Sequence, residues 1–148
     1  MLVPRGTVDH WISLDSNRSL AYEWSNYRFV DGAVNSAKKP SWEGKLLDPF
    51  EVRDDWFELL LPSLQLVIVA DLDPSTRARA DFTLEKLRLR DGEDLIRQRR
   101  EWLRMYELGE LGLAGLLRVA PLLARAVAKR DGLVLPKDSR PGERSELR

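Results

Sequence analysis

Proline and glycine punctuate the second half of this chain, and the segments between them have the length and spacing of helices. Asp73-Pro74-Ser75 puts a proline in a first helical turn, where its missing N–H removes no helical hydrogen bond. Ala78, Phe82, Leu84, Leu87 and Leu89 follow as an apolar stripe that Asp91-Gly92 closes. A second helix is expected over residues 93–107, with Leu95, Ile96, Trp102, Leu103 and Tyr106 apolar. A third is expected over 111–129, kinked or split at Pro121 and capped by Gly132. Residues 73–135 therefore read as a bundle of about three helices. Residues 136–148 are charged, bear proline and glycine, and read as a disordered tail.

The first half carries short mixed segments. Val3–Val8 and Ser19–Trp24 read as strands around an Asp15-Ser16-Asn17-Arg18 turn. Asn26 to Lys39 reads as a helix, with Ser25 as its N-cap and Pro40 as its stop. Residues 41–72 form a hairpin region, with strands expected at Phe50–Arg53, Trp56–Leu61 and Gln65–Ala70 and a turn at Pro62-Ser63. The fold class is thus α+β, and a chain of 148 residues fits one domain. Leu2–Gly6 reads LVPRG, which is similar to a thrombin-cleavage linker, so residues 1–7 are either a linker remnant or the start of a native strand.

Several function classes are excluded by composition. There is no cysteine, so disulfides, thiolate zinc sites and cysteine nucleophiles are ruled out. No apolar run reaches the ~18–20 residues of a membrane span, and no signal peptide is visible. A cytoplasmic location without membrane contact is the expectation. Twenty-four basic and 24 acidic residues cancel, so any nucleic-acid contact must come from a local basic face.

The chemistry-bearing stretch is Val8–Lys39, VDHWISLDSNRSLAYEWSNYRFVDGAVNSAKK. It holds the pair Asp9-His10, Asn26 sixteen residues after the histidine, and Asn35 nine residues further on. With strand, loop, strand and helix around them, residues 8–40 can fold into a ββα unit with all four groups on one face. This segment resembles the HNH (ββα-metal) nuclease motif, on Asp9-His10, the AYEWSNY run and the NSAKK run. Leu47–Val52 (LDPFEV) and Asp54–Leu59 (DDWFEL) are similar to a bacterial subgroup of that family.

The resemblance implies a metal-dependent endonuclease acting on DNA more readily than RNA. His10 would be the general base, a task that imidazole chemistry suits near neutral pH. Asp9 and Asn35 would ligate one Mg²⁺ or Mn²⁺, with no structural zinc. Asn26 would hold the loop that carries His10. Lys38 and Lys39 would end the helix and touch flanking phosphates. The resemblance also implies a bacterial antiviral defence system, with an ATPase or other protein partner engaging the DNA. The competing reading is a non-catalytic HNH-derived interaction module. Lys38-Lys39 can equally be a solvated helix end. Arg97, Arg99, Arg100 and Arg104 form a stripe that fits a solvated face better than a DNA groove, and Asp48 and Glu51 are expected to be structural.

Overall fold

Two consecutive strands with a long, polar connection can close only if the connection satisfies its own backbone, and that is how the N-terminal region is built. In the computed structural model, residues 6–13, 15–31, 35, 36 and 38–135 are described. Strand β1 (Gly6–His10) pairs antiparallel with β2 (Tyr27–Asp31), placing Asp9 opposite Arg28 and His10 opposite Tyr27. Tyr27–Asp31 is therefore a strand and not the start of the expected helix. The helical state is described only at Asn35 and Ser36, and Lys39 is already extended, at φ −115°. Ser19–Trp24, expected as a strand, forms 3-10 turns at Arg18–Leu20 and Trp24–Asn26. Asn17 explains the first of them: its side-chain oxygen accepts from the Ser19 N–H at 3.1 Å, and Ser and Asn side chains that bond nearby backbone favour turns over strands.

The hairpin arises as expected, from β3 (Phe57–Leu60) and β4 (Gln65–Ile68). Phe50–Arg53 is not a strand: Phe50 and Glu51 lie in a turn, in which the Asp48 carboxylate accepts from the Phe50 N–H at 3.0 Å and its carbonyl from Glu51 at 2.9 Å, and Val52 and Arg53 are irregular. Four helices follow among the described residues: α1 (Pro74–Lys86), α2 (Glu93–Glu107), α3 (Leu113–Val119) and α4 (Pro121–Asp131). Asp73 caps α1 through Ser75 and Thr76, both at 3.0 Å. Pro121 splits the third expected helix into α3 and α4. The expected disordered tail and residues 1–5 lie outside the described residues. No described helix is long and apolar enough to cross a membrane.

The chain divides into two compact units, Met1–Glu58 with Leu66–Glu93, and Leu59–Gln65 with Asp94–Arg148. The first unit buries Leu46, Leu47, Leu66, Ala80 and Leu84. Thr83 fastens α1 to the connection between β2 and β3, its hydroxyl accepting from the Leu47 N–H and donating to the Arg79 carbonyl, both at 2.8 Å. The second unit buries Leu116, Leu123, Ala124 and Val127. Gly132 closes α4 at φ 66°, a left-handed conformation that disfavours any Cβ. Gly132→Ala should therefore lower stability by roughly 1–2 kcal/mol. An unchanged urea midpoint would show that the left-handed cap is not held in solution.

Candidate functional site

Asn26 ties together the two ends of the loop between β1 and β2. Asn26 is buried, at 4 % exposure, and its amide oxygen accepts from the Ile12 N–H at 2.7 Å. Its amide nitrogen donates to the Ile12 and Leu20 carbonyls at 3.0 and 3.4 Å, and its own carbonyl accepts from Trp11 N–H at 2.7 Å. A short amide side chain that donates and accepts at once can replace the backbone pairing that the loop lacks. The result ties the segment leaving His10 to the segment entering β2. Asn26 does not open a helix; it ends the 3-10 turn before β2.

His10 ends β1 and is half-buried. Its Nε2 lies 3.3 Å from the Ala21 carbonyl oxygen. A carbonyl can only accept, so this contact is a hydrogen bond only when Nε2 carries the proton. In the neutral ring that leaves the lone pair on Nδ1. The Tyr27 hydroxyl donates to the same carbonyl, and the His10 and Tyr27 rings lie 4.9 Å apart with their planes tilted by 46°. Tyr27 and Ala21 are contributors that sequence spacing did not single out; Tyr27 is brought to His10 by the strand register.

Asp9, His10 and Asn35 line one open cleft of about 270 Å³, with Ser13, Lys39 and Glu43 also on its wall. Glu43 was missed as well: its carboxylate accepts from the Ser13 N–H at 2.7 Å and from the Ser16 hydroxyl at 3.3 Å. Among the described residues, no group of three His, Cys, Asp or Glu side chains is arranged to hold a metal. Asp9 and Asn35 offer only two ligands, both hard oxygens. That donor set suits a Mg²⁺ or Mn²⁺ that keeps several waters, and it does not suit a closed zinc site.

Lys38 behaves differently from a helix-end phosphate contact. Its ammonium donates to Asp9 Oδ2 at 2.6 Å and to the His10 and Trp11 carbonyls at 2.8 and 3.0 Å. All three donors of the ammonium are used inside the protein. Lys39 remains exposed at the cleft, with its Nζ 5.6 Å from the Trp42 ring.

Beneath the site lies an ion pair the sequence did not reveal. Arg28 is 6 % exposed and meets Asp48 through two parallel hydrogen bonds, with Nε to Oδ1 at 2.7 Å. Its Nη1 donates to the Ser25 and Tyr27 carbonyls, and the Phe50 ring stacks 3.9 Å from the guanidinium carbon. The hydrogen bonds from Arg28 hold the Asp48 carboxyl below the usual carboxylate range, and the Asp48 carboxylate raises Arg28 in turn. Asp48 and Glu51 are thus structural, as expected: Glu51 pairs with Arg79 at 3.0 Å.

Three arginines of the α2 stripe are engaged within their own unit. Arg97 and Arg104 pair with Asp94 and Glu101, and Arg99 donates to the Leu64 carbonyl at 2.9 Å, where burial lowers its pKa. Compared with known proteins, the chain matches no family model, no curated sequence and no solved structure.

Proposed function

We propose that this chain is a divalent-metal-dependent nuclease that hydrolyses phosphodiester bonds, with DNA favoured over RNA on the resemblance of Val8–Lys39. The observation that carries this reading is the convergence of Asp9, His10 and Asn35 on one cleft, beside a loop pinned by Asn26. A bound Mg²⁺ or Mn²⁺ held by Asp9 and Asn35 would offset charge on the phosphate and on the leaving oxygen.

The rest falls to the chain's own groups. With Nε2–H directed to Ala21, Nδ1 of His10 takes a proton from water as the water oxygen bonds to phosphorus. The bond from phosphorus to the leaving sugar oxygen breaks, and solvent returns a proton to that oxygen. Asn26 and Tyr27 hold the ring in place through the loop and the Ala21 carbonyl. Lys39, at the cleft, meets a flanking phosphate, a contact that positions without reading sequence. One free-standing lysine gives weak, salt-sensitive attachment, so targeting falls to an ATPase or other protein partner, as the resemblance implies.

The Lys38–Asp9 ion pair favours a second reading, in which the carboxylate is structural and the motif serves as a non-catalytic interaction module. Calorimetric titration with Mn²⁺ separates the two. The nuclease reading expects saturable binding to the wild type and clearly weaker binding to Asn35→Ala, because one of two protein ligands is lost. No binding to the wild type, or equal affinity in both, would remove Asp9–Asn35 as a metal site.

A further inference from the structure

The Lys38 ammonium already stands where a cation bound to Asp9 would stand. It is 2.6 Å from Asp9 Oδ2, and the two side chains are only 14 % and 15 % exposed. Arg28, opposite Asp9 in the strand register, is committed to Asp48, so among the described residues Lys38 is the cation that bonds the Asp9 carboxylate. Asp9 and Lys38 also line a second, largely apolar cavity of about 310 Å³, whose walls include Trp11, Leu46, Leu47 and Leu84. The Trp11 ring lies 5.0 Å from Lys38 Nζ. Charges bordered by apolar groups are poorly screened, so this pairing outweighs its surface counterparts.

A second cation can approach Asp9 only by repelling the first or displacing it. We propose that Lys38 is an internal competitor for the metal site, which holds Asp9 in place without metal and sets how tightly a divalent ion binds. This rests on the metal-site reading above and extends it. On metal entry the ammonium leaves Oδ2 and turns into the open cleft, which Lys38 already lines.

Two measurements on the full chain test this. In Lys38→Gln the positive charge is gone while a neutral donor remains for the His10 and Trp11 carbonyls. Mn²⁺ should then bind about tenfold more tightly, because a charge-assisted hydrogen bond no longer competes. Lys38→Arg, which keeps the charge, should stay near wild type. Equal or weaker binding in a folded Lys38→Gln would overturn the proposal. Should that variant unfold, the wild type carries the test: amine-reactive labelling read by mass spectrometry should modify Lys38 faster with Mn²⁺ bound than without. Unchanged labelling of Lys38 at saturating Mn²⁺ would overturn the proposal too. Wild-type binding that weakens in Asn35→Ala keeps the metal site standing whatever Lys38 does. A wild type that binds no Mn²⁺ fails both.

Discussion

Asp48→Ala is expected to lower stability by about 3–5 kcal/mol, the cost of stranding a buried charge whose partner is removed. Arg28 would stay enclosed by Phe50 and the Ser25 and Tyr27 carbonyls, with no carboxylate to balance it. The same pair sets an acid dependence. The Asp48 carboxyl titrates below its ordinary value in the folded chain because Arg28 stabilises its ionised form. Its contribution is therefore complete above the unfolded value of ~3.9 and is lost as pH falls through the lower folded value. Chemical denaturation of wild type and Asp48→Ala at neutral and acid pH measures both effects. The gap between them should narrow toward low pH. A gap under ~1 kcal/mol at pH 7 would reduce the pair to the worth of a surface salt bridge.

What could be read from sequence follows the range of the interactions involved. Helix α2 was legible to the residue, Glu93–Glu107, because its apolar spacing and the preceding Gly92 are local signals. Pro121 and Gly132 gave the boundaries of α4 for the same reason. The β3–β4 hairpin was legible from its apolar runs around Pro62-Ser63. In the N-terminal region the expected strand at Ser19–Trp24 proved to be turns, and the expected helix from Asn26 proved to begin with a strand. A five-residue strand such as Tyr27–Asp31 is decided by its partner, β1, and nothing within YRFVD announces that partner.

The candidate site divides along the same line. Asp9, His10, Asn26 and Asn35 were picked out by spacing, and Asp9, His10 and Asn35 do share one cleft. The internal bonds of Lys38 were not legible locally, because its three acceptors lie 27 to 29 residues away. Arg28 and Asp48 meet across 20 residues, and the only trace in sequence was the LDPFEV run that contains Asp48. Tyr27 lay within the AYEWSNY run but was given no role in the site, and Glu43 carried no signal.

The largest functional effect is expected at His10. In the proposed reading His10 takes the proton from water, and a positioned general base is worth ~10²–10⁴-fold, the loss expected in His10→Ala. Folding should be little affected, because Asn26, not His10, closes the loop. Metal affinity should hold too, because the imidazole is not among the ligands. The direct measurement is nicking of supercoiled plasmid at saturating Mn²⁺ or Mg²⁺, followed in wild type and His10→Ala side by side. Metal-dependent nicking is expected of the wild type, abolished by chelation, and slowed at least ~100-fold in a folded, Mn²⁺-binding His10→Ala. A wild type that never nicks under these conditions, or a His10→Ala that nicks as fast, would contradict the nuclease reading.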